Sequence, residues 1–348
     1  MKNNKIIDLF CGCGGLSLGF EEAGFEVAYA IDSWQRAIET FNYNHRNKVA
    51  ECADIHSLTE ERLREINSES NIVGIIGGPP CQGFSKVGTR DIEDPRNHLY
   101  LEYCRVVKTI SPEFFVIENV GGLLTLANGM FRDDIISRFG ALGYTVVYKA
   151  ISAADYGVPQ NRQRVFFVGI KNKTFQFPEK HKTIVTSKDA IGDLVPLSLE
   201  DGFDDLHPYA CPPQNEYQRK LRGNQTLVAN HQITVHTEQT INIIKMVPDG
   251  GTIYDLPDEY WEVRKYRKGF ERMPSFRPCH TVDTGHRNYF HYKENRIPTA
   301  RENARLQSFP DSFVFLGTKT DQYKEIGNAV PPLMAYSIAS AIAQEIEG

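Results

Sequence analysis

The first half of this 348-residue chain alternates short apolar runs with amphipathic stretches. The runs are almost continuously hydrophobic, as is typical of strands covered on both faces. The stretches between them repeat apolar residues at helical spacing, as at Leu99, Tyr103, Val106 and Ile110. This alternation predicts an α/β fold with a mainly parallel sheet and helices on both faces. The predicted strands are 6–10, 27–32, 72–76, 114–118, 145–150 and 165–170.

The alternation ends near Lys171, and residues 178–290 are short mixed segments rich in Pro, Gly and Asn. They predict a second, smaller and irregular domain with long loops. Order returns at the end of the chain, where Met334, Ile338 and Ile342 follow helical spacing. We expect this last helix to pack on the first domain. The predicted division is 1–180, completed by 300–348, for the first domain and 181–299 for the second.

Composition excludes several classes of protein. Hydrophobic residues make up 41% and charged residues 24%, as in ordinary globular proteins. The chain lacks an apolar run of about 18 residues, so we expect no membrane span, and its start resembles no signal peptide, which favours the cytoplasm. Seven cysteines, an odd number, argue against a disulfide framework. We expect no metal site, because the chain has no CxxC pair and His231 and His236 have no obvious third ligand.

The net charge is −5, but the distribution matters more than the total. Residues 262–305 hold eleven Lys and Arg against five Asp and Glu, a local excess of six positive charges. A solvated charged face is the simplest explanation. The aromatic residues interleaved with these charges favour a surface that binds a polyanion.

The stretch "IIDLFCGCGGLSLGFEEAGF" predicts a strand, a glycine-rich turn and a helix. Gly12 begins an imperfect GxGxxG pattern in which Ser17 replaces the last glycine, so a plain tight turn explains it about as well. Asp32 ends the next strand, where an acid commonly binds ribose hydroxyls, and Asp54 ends a third. Together they favour an adenosine-containing cofactor. NAD and S-adenosylmethionine stay open at this point.

The stretch "GGPPCQGFS" places Cys81 behind two glycines and two prolines, at the carboxyl end of a predicted strand. Ligands of open α/β sheets bind beyond such ends, and the prolines restrict the backbone. We therefore interpret Cys81 as a catalytic nucleophile, with residues 82–99 as a closing lid. The alternative, a structural cysteine, holds for Cys104 on the apolar face of a helix. Cys211 is excluded because its prolines follow it and no strand precedes it.

Three further polar residues lie at strand ends. Glu118 ends the apolar run "FFVI", where partial burial would help it carry a proton; its alternative role is to cap a helix. Arg162 and Arg164, two residues apart, would point to one side of an extended strand. A surface ion pair is the alternative for the arginines.

These motifs resemble the DNA (cytosine-5) methyltransferases, especially the compact bacterial enzymes of restriction–modification systems. The resemblance rests on six motifs in the order of the family and extends over the whole chain, weakest at about 185–285. One departure is Ser33, where many relatives carry an aromatic residue; Trp34 follows it here. The motifs are "DLFCGCGGLSLGFEEAGF", "GGPPCQGFS", "ENV", "QNRQR", "RENARLQSFPDSFVF" and "YKEIGNAVPP".

The resemblance implies a Rossmann-like, S-adenosylmethionine-dependent methyltransferase sheet with a target-recognition domain at 181–299. It also implies roles. Cys81 would attack carbon 6 of a flipped-out cytosine, Glu118 would hold or protonate N3, and Arg164 would bind O2. Arg162 would steady the loop and the thiolate. The implied cofactor residues are Phe10, Gly12, Cys13, Gly15, Asp32, Asp54, Ile55, Pro80, Leu99 and Asn328.

The resemblance further implies double-stranded DNA as the substrate, a partner endonuclease acting on the same site, and a monomer. A tRNA methyltransferase of the same fold is the alternative, but "PSFRPCHTVDTGHRNYF" lacks the Cys-Phe-Thr signature of that branch. A DNA-binding protein without catalysis disagrees with the intact Cys81, Glu118 and Arg164. A NAD-linked thiol oxidoreductase gives no reason for the "ENV" and "QNRQR" motifs.

Overall fold

The computed structural model describes residues 4–80, 99–197, 205–261, 270–285 and 289–347. Contacts divide the chain into two units. The first comprises Met1–Ser152, Gln163–Lys180 and Pro332–Gly348, and the second comprises Ala153–Arg162 and His181–Pro331.

The break after Lys180 coincides with the predicted one. Residues 300–331, expected with the first domain, belong by contacts to the second unit. The reason is a set of buried ion pairs, in which Arg305 binds Asp193 and Asp311 inside that unit. The division by function into catalytic and target-recognition domains stays a prediction.

The first unit contains a seven-stranded sheet, ordered β3-β2-β1-β4-β5-β7-β6. All neighbouring strands are parallel except that β7 runs antiparallel to both β5 and β6. The predicted mainly parallel α/β sheet is therefore confirmed. The strands are β1 Lys5–Leu9, β2 Glu26–Asp32, β3 Ala50–Cys52, β4 Gly74–Gly77, β5 Phe114–Val120, β6 Tyr144–Ser152 and β7 Gln163–Lys171.

Burial follows the pattern of the sequence. The apolar runs Phe114–Ile117 and Val165–Val168 lie in the middle of the sheet and are almost inaccessible to solvent. Aromatic rings fill one side, where Phe115 stacks on Phe139 with ring centroids 3.9 Å apart. The edge strand β3 has only three residues and is mostly exposed. It ends at Cys52, two residues before Asp54, which the sequence predicted at the end of a third strand; Asp54 instead caps a 3-10 helix.

In the described part of this unit, six helices cover the sheet, and α11 packs against α1. Met334, Ile338 and Ile342 of α11 are fully buried, which confirms the predicted packing of the last helix on the first domain. The helices are α1 Gly15–Glu22, α2 Gln35–Asn44, α3 Glu60–Ser70, α4 Leu99–Ile110, α5 Met130–Ala141 and α11 Pro332–Glu347.

One stretch in the described part of the chain, Lys319–Glu347, is long and apolar enough to span a membrane by length and composition. Its apolar window is 61% buried inside the protein, as in a core helix.

The second unit has five short helices and two two-stranded sheets among its described residues. One of its cores gathers apolar residues from α8 and β11 around Phe270 and Tyr323. The elements are α6 Ser187–Ile191, β8 His207–Pro208, α7 Glu216–Arg222, β9 Leu227–Val228, α8 Glu238–Met246, β10 Glu271–Arg272, β11 Tyr289–Phe290, α9 Ala300–Leu306 and α10 Lys319–Asn328.

The basic stretch 262–305 exposes fewer positive charges than its composition indicates. Arg272, Arg296, Arg301 and Arg305 are buried, with at most 7% of each residue exposed. Arg272 donates to backbone carbonyls such as that of Val247, and Arg296 pairs with Glu302. These four cations therefore stabilise the unit rather than face a polyanion, which corrects the sequence-based interpretation. Of the other seven, Arg277 and Lys293 are exposed, and five lie outside the described residues.

The packing of α1 on α11 depends on Gly19. A Cβ atom there would lie 2.4 Å from Cβ of Ala335 and 2.5 Å from the carbonyl oxygen of Pro332. We expect Gly19→Ala to lower the free energy of unfolding by about 1–3 kcal/mol, because overpacking forces a backbone shift. Urea denaturation measures the change. Gly140→Ala in α5 is the control, since nothing lies within 4 Å of its Cβ position; equal effects of both variants would contradict this account.

Candidate active site

The ends of four strands form one row across the sheet. Leu9 of β1 pairs with Ile31 of β2 and Gly77 of β4, and Gly77 pairs with Ile117 of β5. The residue that follows each of these four in the chain therefore lies at the same rim of the sheet. Those residues are Phe10, Asp32, Gly78 and Glu118, which include three predicted site residues.

The glycine-rich turn after β1 depends on left-handed backbone conformations. Phe10, Gly12 and Gly14 have φ values of 60°, 54° and 93°. Gly14 also admits close packing, since a Cβ atom there would lie 2.1 Å from Nε2 of His45. At Gly12, by contrast, nothing lies within 4 Å of a Cβ position. The turn therefore leaves open space beside Gly12 that a ligand can approach closely.

Asp32 holds this turn to the end of β2. Its Oδ2 accepts the backbone N–H of Gly12 at 2.9 Å, and its Oδ1 accepts that of Trp34 at 2.8 Å. A carboxylate oxygen can accept more than one hydrogen bond, so Asp32 is chemically suited to accept ribose hydroxyls. This donor and acceptor set, beside open space, fits the adenosine part of a nucleotide cofactor.

The other predicted cofactor residues have varied positions. Cys13 is buried in the turn and Gly15 begins α1. Asp54 is exposed and caps the short 3-10 helix Ile55–Ser57, where its Oδ1 binds His56; this lowers the pKa of Asp54. Leu99 begins α4, and Pro80 is the last described residue before the gap. Asn328 ends α10 in the second unit.

Cys81, the predicted nucleophile, and the predicted lid after it lie outside the described residues, up to residue 98. The leader Gly77–Pro80 is described. A Cβ atom at Gly77 would lie 2.2 Å from the carbonyl oxygen of Leu9, so only glycine fits beside β1. At Gly78 a Cβ atom would lie 3.1 Å from Oε2 of Glu118. The leader therefore runs directly against the carboxylate of Glu118.

Glu118 forms an ion pair with Arg164. Nε of Arg164 lies 2.8 Å from Oε1 of Glu118, and both side chains are largely buried, with 15% and 12% exposed. The sheet register explains the contact, because Glu118 pairs with Phe166 and Arg164 lies two residues away on the same face of β7. The structure therefore brings together two predicted catalytic side chains beside the leader of the third.

Arg162 does not share this position. Strand β7 begins at Gln163, so the prediction that both arginines lie on one extended strand is wrong at Arg162. Arg162 is almost fully buried in the second unit, where its guanidinium donates to the carbonyl oxygen of Gly327 at 2.8 Å. The backbone turn before β7 turns this side chain inward.

Asn119 is a polar residue that the sequence analysis missed. It is buried, and its Nδ2 donates to the carbonyl oxygen of Pro79 at 3.0 Å. It therefore holds the leader to the end of β5, on the face opposite to Glu118. The sequence does carry a signal for this contact, since a buried amide in an otherwise apolar strand needs a hydrogen-bond partner.

Asp8 is a second polar residue that was missed, in the apolar strand β1. It is 1% exposed and accepts a 2.6 Å hydrogen bond from the hydroxyl of Ser17. Burial, opposed by this hydrogen bond and reinforced by the charge of Asp32, raises the pKa of Asp8 to about 8. The carboxyl group beneath the glycine-rich turn is therefore largely protonated at neutral pH.

The second unit contains a small cavity of about 30 Å³ with a mostly apolar lining. Met273, Cys279, Ile297 and Tyr323 are among the lining residues. Among the described residues, no predicted catalytic or cofactor residue lines this cavity.

Comparison with known proteins decides the family. A profile of the C-5 cytosine-specific DNA methylases matches residues 4–344. The chain belongs to this family. The methylase is 37% identical to the Type II methyltransferase M.DdeI of Desulfomicrobium norvegicum, over 99% of this chain and 89% of that protein. It is 39% identical to the Type II methyltransferase M1.HphI of Haemophilus parahaemolyticus, over 97% of this chain and 86% of that protein.

Solved structures agree. A prophage-encoded E. coli protein classed as a DNA modification methyltransferase superposes on the methylase with a TM-score of 0.84, at 28% identity and 99% coverage of both chains. The S. pombe Dnmt2 methyltransferase superposes with a TM-score of 0.66, over 99% of this chain and 100% of that one; at 19% identity it shows the fold alone. The methylase is thus a DNA (cytosine-5) methyltransferase with the S-adenosylmethionine-dependent fold, its cofactor is S-adenosylmethionine and its substrate is DNA.

The raised pKa of Asp8 gives a pH test. In the unfolded chain Asp8 ionises near pH 4, but in the folded protein it keeps its proton up to about pH 8. The wild type therefore loses stability as pH rises through this window, and Asp8→Asn does not. We expect the stability of Asp8→Asn relative to wild type to increase from pH 5 to 8, by at most about 1.4 kcal/mol per pH unit.

Urea denaturation of the cofactor-free protein at several pH values measures this difference. The control is Asp133→Asn, because Asp133 is exposed and Arg132 lowers its pKa, so its difference from wild type stays flat over the same range. A flat profile for Asp8→Asn as well would show that Asp8 is ionised in the folded protein.

Proposed function

We propose that the protein methylates carbon 5 of a flipped-out cytosine in a specific duplex sequence through a covalent bond between Cys81 and carbon 6. The observation that supports this proposal is the ion pair of Glu118 and Arg164, which lies against the leader of Cys81. A cytosine on that thiol would meet both side chains at the rim of the sheet.

The chemistry requires a nucleophile, because carbon 5 of cytosine reacts poorly with a methyl sulfonium. Addition of the Cys81 thiolate to carbon 6 makes carbon 5 nucleophilic. S-adenosylmethionine supplies an electrophilic methyl group when bound. A base then removes the proton from carbon 5, and the electron pair of that bond expels the Cys81 thiolate and restores the ring.

Glu118 and Arg164 would stabilise the charge that moves into the ring. Glu118 would hold or deliver a proton at N3, and Arg164 would donate to O2. Their mutual bond orients both side chains before substrate arrives, which avoids reorganisation during the reaction. Arg162, whose hydrogen bonds lie within the second unit, would steady the loop before β7 rather than touch the base.

Base flipping is needed to give the thiol access to the cytosine ring. Carbon 6 of a stacked cytosine is covered by neighbouring bases, so the nucleotide must leave the helix before a protein thiol can reach it. The target-recognition region at 181–299 would select the sequence. Its exposed cations would contact phosphates, while the four buried arginines would only shape the unit.

We further propose that the enzyme protects DNA in a restriction–modification system, as a monomer in the bacterial cytoplasm, beside an endonuclease that cuts the same site. Its similarity to Type II methyltransferases over nearly its whole length supports this role. Bisulfite sequencing of DNA from cells that express the protein would return both the recognition sequence and the modified cytosine.

The covalent step is tested with DNA that carries 5-fluorocytosine at the mapped site. Fluorine cannot leave as a proton does, so the adduct is expected to accumulate in the presence of S-adenosylmethionine and to shift on a denaturing gel. Cys81→Ser should give no shifted band and no methyl transfer, because a serine hydroxyl does not ionise at neutral pH, while cofactor binding persists.

The matched control is Cys104→Ser. Cys104 lies half-buried in α4, and burial raises the pKa of its thiol to about 12, so it cannot serve as a thiolate nucleophile. This variant should trap DNA as wild type does. The covalent mechanism would be contradicted by the absence of a shifted band with wild type or by the presence of one with Cys81→Ser.

The role of Glu118 is tested by Glu118→Gln. An amide cannot deliver a proton to N3, so kcat is expected to fall by about 10²–10⁴-fold while the Kd for DNA changes little. Single-turnover methylation with labelled cofactor separates the two quantities. Glu113→Gln, an exposed glutamate just before the other end of β5, is the control and should match wild type. A loss confined to DNA affinity would rule out a chemical role for Glu118.

A further inference from the structure

The loop before β7 is paired with a segment from the predicted target-recognition region. The backbone N–H of Asn161 donates to the carbonyl oxygen of Cys279 at 2.8 Å. The N–H of Cys279 donates in turn to the carbonyl oxygen of Pro159 at 3.0 Å. The hydroxyl of Thr281 adds a 3.0 Å bond to the carbonyl oxygen of Asn161. Residues 279–283 are therefore fixed to the loop of the "QNRQR" motif, inside the second unit.

Gln160 lies at the centre of this pairing and is fully buried. Its Oε1 accepts the N–H of Val282 at 2.8 Å. Its Nε2 donates to the carbonyl oxygen of Leu306 at 3.1 Å and to Oε1 of Gln307 at 2.8 Å. Both donor hydrogens and the acceptor are used, so the amide has one fully satisfied arrangement.

Gln307 continues the chain of amides to the end of α10. It is fully buried, and its Nε2 donates to the carbonyl oxygens of Ile326 at 2.7 Å and Ala329 at 3.3 Å. These carbonyls flank Asn328, a predicted cofactor residue. The network therefore runs from Val282 through the two glutamines to the backbone around Asn328.

Two further contacts join the same ends. The guanidinium of Arg162 donates to the carbonyl oxygens of Val282 at 3.4 Å and Gly327 at 2.8 Å. A Cβ atom at Gly327 would lie only 2.4 Å from the carbonyl oxygen of Asp283, so the backbones are in direct contact. A displacement of residues 279–283 must either move the end of α10 or leave buried polar groups without partners.

We propose that Gln160 and Gln307 are positioning residues that link residues 279–283 to the end of α10, so that target DNA and cofactor bind cooperatively. Neither glutamine needs to touch either ligand. This inference rests on the proposed function, in which the target-recognition region faces DNA, and on the predicted role of Asn328 as a cofactor residue. Because the coupling is thermodynamic, each ligand changes the affinity for the other by the same factor.

The test uses the full chain and a fluorescent duplex that carries the mapped site. The Kd for DNA is measured with and without saturating S-adenosylhomocysteine, and the ratio of the two values is the coupling factor. We expect a coupling factor of about five or more for wild type, in the usual range for coupled sites. Gln160→Met and Gln307→Met should bring it close to one, with cofactor affinity in the absence of DNA little changed.

The matched control is Gln218→Met. Gln218 is a buried glutamine of α7 in the same unit, and its Oε1 accepts the N–H of Gln214, away from the proposed link. This variant should lose thermal stability as the others do but keep the wild-type coupling factor. Gln307→Met interrupts the chain at its other end and supplies the measurement if Gln160→Met does not fold.

The coupling factor of the double variant should be no lower than that of either single variant, because both substitutions interrupt the same chain of hydrogen bonds. A wild-type coupling factor of one, or an unchanged factor in both single variants, would overturn the proposal. The proposal would also be overturned if Gln218→Met lowered the coupling factor as much as Gln160→Met and Gln307→Met do. Failure of the covalent mechanism is seen separately, as loss of 5-fluorocytosine trapping by wild type, which these binding measurements do not use.

Discussion

The reversed direction of β7 is the constraint on which the active site depends. In a fully parallel sheet, the strand beside β5 would end at the rim where β5 ends. Because β7 runs the other way, it begins there, and Arg164 near its start lies beside Glu118 near the end of β5. A carboxylate and a guanidinium that are distant in sequence thus meet on one face of the sheet.

The leader Gly77–Pro80, which directly precedes the predicted nucleophile, lies at the same rim. Two of its contacts come from β5: Glu118 lies against Gly78, and Asn119 holds the carbonyl oxygen of Pro79. Since side chains alternate along a strand, the predicted catalytic carboxylate and the supporting amide point to opposite faces of β5. The motif "ENV" therefore combines that predicted carboxylate with the amide that fixes the backbone beside it.

Buried charge in the second unit serves stability. Arg305 is fully buried and bound by Asp193 and Asp311, and the Arg296–Glu302 pair holds the pKa of that carboxyl well below its usual range, against the effect of burial. Removing one partner would leave a buried charge uncompensated, which is far more costly than loss of an exposed pair. The count of basic residues in a segment therefore overstates the positive surface available to DNA.

The sequence by itself determined the alternation of strands and helices, the burial of the last helix, and the rim positions of Phe10, Asp32 and Glu118, because apolar periodicity and strand ends are local properties. It did not determine the inward turn of Arg162 or which arginines are buried. Those features depend on partners distant in the chain, such as Gly327 for Arg162 and Asp193 for Arg305. Only the tertiary structure decided them, since a polar side chain is buried or exposed according to whether folding brings it a partner.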